Sequence, residues 1–427
     1  MAAALACNER CEPYLYGGLA SGFGQTMTAE KREARAVDAS PARGDRPAIT
    51  GVGMTAFASA DDRSLPELLL VAAERALDDA DLTPEDVESV HVGNMAAEAF
   101  NGRSGLANAL VGGLGMTGVT ARRIENTSAS GASAFEDAVA AVASGRHERA
   151  LAVGGERMSD ADTAAATEII SRITHDREYE QGVTLPSFGG LGAAAYLRGS
   201  DADRRDLARV AVKNHRNAVS NEYAQFRKPI DVEDVLASPP VASPLRLYDC
   251  CPTSDGAAAV VIEAAPAASS NPVTVAACES ATGTHAVADR ADPLEIASVR
   301  TAGERAYDAA GFGADAVDLA CIHDAFTILE WLEMEELGLA PAGRAWELTR
   351  DGRTDIDGDL PVNPGGGLKA RGHPLGATGI SQVIELVWQL RGDLPDERAV
   401  DDASRGLAVN VAGFGNNAVC TLLEVDA

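Results

Sequence analysis

Residues 74–95 (ERALDDADLTPEDVESVHVGNM) align without a gap onto residues 304–325 (ERAYDAAGFGADAVDLACIHDA). Glu74/Glu304, Arg75/Arg305, Ala76/Ala306, Asp78/Asp308, Ala80/Ala310 and Val87/Val317 are identical in this register. A second pair of segments repeats further on, Ser128–Ser133 (SASGAS) against His373–Thr378 (HPLGAT). Each is followed by an apolar helical pattern, about 132–144 and 377–390, and then by a strand pattern, Arg149–Val153 and Arg405–Val409. The same elements in the same order twice mean two copies of one α/β unit that bury their apolar faces together. The expected copies are 47–265 and 266–427, with a largely helical insertion at 156–244 interrupting the first. In this register Ser128 and His373 hold equivalent positions, each at the entry to a helix.

Local signals agree with an α/β chain. Pro47–Phe57 (PAITGVGMTAF) reads as a strand, as does Val87–Val92. Ser64-Leu65-Pro66-Glu67 opens a helix that runs to about Ala80, with Ser64 as cap, Pro66 in the first turn and Glu67 at the capping-box position. Residues 1–46 lack any periodicity and are expected to be a disordered extension. Asp and Glu total 64 against 36 Lys and Arg, a net charge of −28. Such a chain lacks the positive face that nucleic-acid phosphates or anionic membranes require. Only four cations are lysines, Lys31, Lys213, Lys228 and Lys369. Excess carboxylates with few lysines suit solvation in strong brine, where salt screens self-repulsion, or reflect an acidic compositional bias. Seven cysteines without a CxxC pair argue against a disulfide framework or zinc site, and no apolar run reaches membrane-spanning length. A reduced, cytoplasmic protein is the expectation.

Three residues carry candidate chemistry. Ser128 lies in a small-residue turn (ENTSASGAS) at a helix entry, where free N–H groups favour developing negative charge; it suits an oxygen nucleophile or an ordinary N-cap. His373 lies in NPGGGLKARGHPLGATG (363–379), held between glycines and a proline as a positioned base would be. His323, in IHDAFT, ends a strand, where open α/β sheets place function, and Asp324 beside it is a candidate to orient it.

Together these pieces resemble the thiolase superfamily, most closely the archaeal thiolases related to the sterol-carrier-protein type. The carriers are GVGMTAF (51–57), ENTSASGAS (125–133), KNHRNA (213–218), AQFRKPI (224–230), YDCCPTSDGAAAVV (248–261), HDAF (323–326) and GGGLKARGHPLGATG (365–379). The resemblance implies a thiolase fold, two duplicated βαβαβαββ halves in five αβαβα layers with an inserted loop domain. It implies an acyl-CoA:acetyl-CoA C-acyltransferase that joins acetyl-CoA and acyl-CoA into 3-ketoacyl-CoA, or runs the reverse. In the family the position of Ser128 is normally a cysteine that holds the acyl group, His373 activates it, and His323 serves as oxyanion or acid/base partner. The family's second cysteine is missing both at Ala325 and in the loop Val409–Gly413, where Asn410 and Gly413 are the expected support. The serine would have to carry the acyl group as an ester, with His373 removing its proton. Lys213, His215, Arg216, Arg227 and Lys228 are the implied contacts to CoA. CoA thioesters are expected as substrates, without a metal or redox cofactor. A homo-oligomer and a small OB-fold, zinc-ribbon partner subunit are implied too. Ketoacyl-CoA supply for polyhydroxyalkanoate or isoprenoid synthesis and fatty-acid breakdown remain equally open. The alternative is a CoA-binding scaffold that has lost catalysis.

Overall fold

The structure, a computed structural model, describes residues 46–264 and 271–425. The expected extension, apart from Arg46, and the expected junction of the copies at 265–266 lie outside the described residues.

Nine strands form one sheet: β1 (Ala48–Met54), β2 (Ser89–Gly93), β3 (Thr120–Ile124), β4 (Arg149–Arg157), β5 (Asp255–Glu263), β6 (Val273–Thr282), β7 (Leu319–Cys321), β8 (Arg405–Ala412) and β9 (Asn417–Glu424). Their spatial order is β3-β2-β4-β5-β1-β6-β9-β8-β7. The copies meet where β1 and β6 pair antiparallel through Ala48–Thr274 and Ile49–Val273. Outward from that seam one side runs β1, β5, β4, β2 and the other β6, β9, β8, β7. Both sides go through antiparallel, antiparallel and then parallel pairings. A two-fold duplication is thus visible in strand order and direction. Only the outermost strand differs: where the first copy has β3, the second has a single parallel bridge, Ala320–Val362.

Strands such as β5 (DGAAAVVIE) are buried along their whole length, so both faces of the sheet must be covered. On one face lie α1 (Leu65–Asp79) over the first copy and α5 (Ala297–Ala310) and α6 (Thr327–Glu336) over the second. The start of α1 is as expected, with the Glu67 carboxylate accepting from both the amide and hydroxyl of Ser64 at 2.7 Å. Its Leu65, Leu68 and Leu69 are fully buried, each contributing about 1.5–3 kcal/mol. On the other face lie α2 (Ser130–Ala143) and α7 (Leu375–Arg391), which share one core with strands of both copies. The layers therefore run helix, half-sheet, α2 with α7, half-sheet, helix. Between β4 and β5 five helices fill the inserted stretch, among them α3 (Leu185–Gly199) and α4 (Arg204–Asn217). No helix among the described residues is long and apolar enough to cross a membrane.

Equivalent glycines hold the two central helices in contact. A Cβ on Gly131 would fall 2.3 Å from the Gly376 carbonyl oxygen, and one on Gly379 would fall 2.5 Å from the Ala132 nitrogen. Only glycine permits this approach of backbone to backbone. Ser128 precedes Gly131 by three residues and His373 precedes Gly376 by three, so the close crossing brings both helix entries to one place.

Candidate active site

Ser128 stands on a tight turn ahead of α2. Thr127 takes a left-handed φ of +47°, a conformation disfavoured for a β-branched residue. The turn is clamped: the Ala129 amide donates to the Asn126 carbonyl, the Ser130 hydroxyl donates to the Thr127 carbonyl, and the Asn126 amide donates to the Ser130 hydroxyl. The Asn126 side chain donates to Ser133 and to Asn417 on β9, tying the turn to the second copy.

His373 is fixed at its backbone and its ring. The Ser254 hydroxyl of the SDGAAA segment accepts from its amide at 2.9 Å. Its Nδ1 lies 2.7 Å from the Thr378 hydroxyl, and that hydroxyl spends its single proton on the Pro374 carbonyl. Nδ1 must therefore be the donor, which leaves Nε2 with a lone pair. Burial, with the Arg371 guanidinium nearby, lowers the ring to about 3, so it is neutral near pH 7.

His323 has the opposite tautomer. Its Nδ1 faces two donors, the Asn410 side-chain nitrogen at 2.8 Å and the Val411 amide at 3.3 Å. The proton is thus on Nε2. Burial and the neighbouring His373 put its pKa well below the ordinary value. The two rings meet edge to face, centroids 5.1 Å apart at 89°. Ser128 Oγ and the Nε2 atoms of both histidines have no hydrogen-bond partner among the described residues, yet none is sealed from solvent. One proton acceptor and one proton donor therefore stand unspent on rings 5.1 Å apart, one of them on the helix entry that crosses the entry carrying Ser128. That combination can take a proton from a nucleophile or an α-carbon while donating to a developing oxyanion.

Asp324 does not orient His323. Its carboxylate accepts from the Leu368 and Lys369 amides and the Asn214 side chain, and so shapes the glycine-rich turn. The His323 amide instead donates to Glu333, a buried carboxyl pushed well above its ordinary range by desolvation. Gly413 takes a left-handed φ of +61° in the turn between β8 and β9, while Asn410 serves as the support of His323.

The expected CoA contacts divide. Lys213 is 3% exposed, and its ammonium is committed to Glu330, the Asn214 side chain and the Val362 carbonyl. It faces inward because α4 turns the same side as Val210, Ala211 and Asn214 to the interior. His215 is buried against Phe226 and Tyr248, and desolvation lowers it to about 4, so it offers no charge to a phosphate. Its Nδ1 lies 3.1 Å from the Lys228 carbonyl. Arg216 is exposed but paired with Asp355. Arg227 and Lys228 are exposed, on a segment whose neighbours Gln225 and Phe226 donate to the Arg371 and Ala370 carbonyls. Those two alone of the five are both exposed and without a carboxylate partner among the described residues. Of two cavities of about 590 and 530 Å³, Asp292, Glu295, Glu335 and Glu336 line the first beside Arg300, and Asp357, Asp396, Glu397 and Asp401 line the second beside Arg216, itself one of the five. Such acidic walls repel CoA phosphates.

Residues that the sequence did not single out complete the site: Thr378, Ser254, Glu333 and Gln382. Thr378 and Ser254 had a usable signal, as parts of the GHPLGAT and SDGAAA blocks.

The N-terminal thiolase domain family matches residues 48–265, and the C-terminal thiolase domain-like family matches residues 280–425. The chain is 41% identical over 377 residues to the acetyl-CoA acetyltransferase of Methanothermobacter thermautotrophicus, covering 87% of this chain and 97% of that one. It is 31% identical over 395 residues to sterol carrier protein 2 of Gallus gallus, covering 88% of this chain and 71% of the relative. Among solved structures the Ltp2-ChsH2(DUF35) aldolase superposes with a TM-score of 0.75 at 24% identity, over 90% of this chain and 98% of that one; this likeness concerns the fold. With both domains matched in order across nearly all the described residues, the chain belongs to the thiolase superfamily of acyltransferases.

Proposed function

We propose that the protein transfers acyl groups between CoA thioesters, as an acyl-CoA:acetyl-CoA C-acyltransferase that works through an acyl-serine. The observation that carries this is the pair of complementary Nε2 atoms, one bare and one protonated, with His373 on the helix entry that crosses the entry carrying Ser128. Nε2 of His373 takes the Ser128 proton as Oγ attacks the thioester carbonyl. Nε2–H of His323 donates to the oxyanion, a contribution of ~3–4 kcal/mol for a well-placed donor. The proton on His373 then passes to the departing CoA sulfur, which leaves an ester on Ser128. In the second half, His373 takes a proton from the α-carbon of acetyl-CoA, and the carbanion attacks the ester. The serine oxygen leaves and recovers that proton. Both halves use the same base, so the missing second cysteine is not required for proton balance.

Arg227 and Lys228 are proposed to meet the CoA phosphates, in place of the five-residue set. A small OB-fold, zinc-ribbon partner subunit is a further proposal, by analogy with the two-component Ltp2-ChsH2(DUF35) aldolase, as are an oligomer, a cytoplasmic location and ketoacyl-CoA supply to polyhydroxyalkanoate or isoprenoid synthesis.

One observation favours a second reading. Ser128 Oγ makes no hydrogen bond to His373, so the base and the donor could act on a carbon–carbon bond beside a thioester without an acyl-enzyme. Incubation with radiolabelled acetyl-CoA followed by peptide mapping separates the two. Label on the peptide that carries Ser128, lost in Ser128→Ala, is expected. Turnover of a ketoacyl-CoA or hydroxyacyl-CoA with no label would overturn the acyl-serine and leave the second reading.

A further inference from the structure

Gln382 stands on the inward face of α7, 1% exposed among apolar residues. Its side-chain nitrogen donates to two backbone carbonyls, Cys321 at 3.2 Å and Val409 at 2.9 Å. These belong to β7 and β8, the parallel pair whose ends carry His323 and Asn410. A carbonyl can only accept, so the amide of Gln382 has one permitted orientation, with Oε1 toward Asn410 at 3.0 Å. The atom of Asn410 that faces Oε1 must then be its nitrogen. The other proton of that same nitrogen points at His323 Nδ1, 2.8 Å away. A ring nitrogen addressed by a donor carries no proton. The Val411 amide donates to the same Nδ1 at 3.3 Å, so this relay and the backbone together place the proton on Nε2 of His323.

Asn410 Oδ1 is buried without a partner. The orientation of this amide is therefore set by its neighbours and not by its own oxygen. We propose that Gln382 is a positioning residue that, through Asn410, sets which ring nitrogen of His323 carries the proton. The use to which that proton is put rests on the acyl-transfer reading, whereas its location does not.

The full chain labelled with ¹⁵N-histidine provides the test, with His323→Gln used to assign the resonances. Long-range ¹H–¹⁵N correlation should show His323 with a bare Nδ1 and a protonated Nε2, unchanged from about pH 6 to 8, where a free imidazole titrates. Gln382→Leu frees Asn410 to turn and leaves only the longer 3.3 Å contact from the Val411 amide at Nδ1, so the two nitrogen signals of His323 should move toward each other. Gln382→Glu keeps an acceptor toward Asn410 and should retain the parent pattern where it folds. Asn410→Asp, close to isosteric, sets an acceptor against Nδ1 and should protonate it; this variant keeps the test decisive if Gln382→Leu does not fold. In turnover, Gln382→Leu should lower kcat by about 10- to 100-fold, as a displaced oxyanion donor does, with KM for acetyl-CoA changed less than about twofold. A parental His323 pattern in Gln382→Leu, or a bare Nδ1 in Asn410→Asp, overturns the proposal. The expected tautomer in a protein that never labels Ser128 would refute the acyl-serine and leave the relay standing.

Discussion

The crossing of α2 and α7 makes a quantitative demand on Gly131. A methyl group there would lie 2.3 Å from the Gly376 carbonyl oxygen, whereas ordinary van der Waals contact begins at 3.4 Å. The obstacle is backbone of another helix, so no side-chain rotation relieves it. The two helix entries must part by about 1 Å, and this kind of overpacking costs ~1–3 kcal/mol. The larger effect falls on catalysis. Ser128 and His373 each sit three residues ahead of the contact, so separating the helices separates the proposed nucleophile from its proposed base, and a 1 Å misplacement can cost ~100-fold in rate. Gly131→Ala is thus expected to lower kcat for acetyl exchange by about 10- to 100-fold, with only a modest fall in the urea midpoint. Gly112→Ala is the control: a Cβ there meets nothing within 4 Å, in a helix, so it should leave activity alone and stabilise by roughly 0.4–1 kcal/mol. Acetyl exchange between acetyl-CoA and labelled CoA and urea unfolding give both readings. Parental activity in Gly131→Ala would refute the argument that this seam sets the distance between the two catalytic residues.

The other predictions use the same geometry. Ser128→Cys should keep or raise acyl transfer, because a thiol near its ordinary pKa is partly ionised where a hydroxyl is not; loss of all activity in this variant would contradict the nucleophile assignment. Lys213→Ala should destabilise by about 3–5 kcal/mol, since it leaves Glu330 buried and uncompensated, while Arg227→Ala and Lys228→Ala should raise KM for acyl-CoA in a salt-dependent way without shifting the melting temperature. A Lys213 variant with parental stability would undo that division. Acid should act in two opposed ways. Burial holds His215 at about 4 and His373 at about 3, so below about pH 6.5 the unfolded chain binds protons that these rings refuse, and stability falls. Burial holds Glu156 at about 7 and Asp324 at about 6, so these carboxyls bind protons in the folded chain first and offset the loss until unfolded carboxyls titrate near about 4. The urea midpoint should therefore change little from neutrality to about pH 4.5 and fall steeply below it; a midpoint that keeps rising as the pH drops through 4 would show that the rings are not held neutral.

The duplication was legible because it is a property of order: equivalent segments recur in one register, and the strand order repeats it outward from β1 and β6. That Ser128 and His373 each stand at the entry to a central helix was legible for the same reason, since they hold equivalent positions in two related units. The tautomers were not. They depend on Thr378, Pro374, Asn410 and Gln382 meeting in space, and Gln382 reaches Asn410 across 28 positions of chain. The basic run KNHR misled because charge alone does not say which way a helix turns. A cue was available in composition: this chain has four lysines, and of the three described, Lys213 and Lys369 are 3% and 2% exposed. In a chain whose exposed cations are almost all arginine, a retained lysine points inward more than outward.

Symmetry does not supply the histidine pair: His323 and His373 both lie in the second copy, where His373 holds the place of Ser128 and His323 that of Gly93. The two rings differ in what supports them. At His373 a threonine hydroxyl takes the Nδ1 proton; at His323 an asparagine supplies a proton to Nδ1. Each ring is held at Nδ1 and exposes Nε2, so opposite partners at the anchored nitrogen produce opposite roles at the exposed one. A proton acceptor and a proton donor are thereby made from the same kind of side chain, their rings 5.1 Å apart and both neutral because burial disfavours the charged form of each. Reversing either anchor would give two bases or two donors, and neither set can both accept the proton of Ser128 and hold the oxyanion it creates.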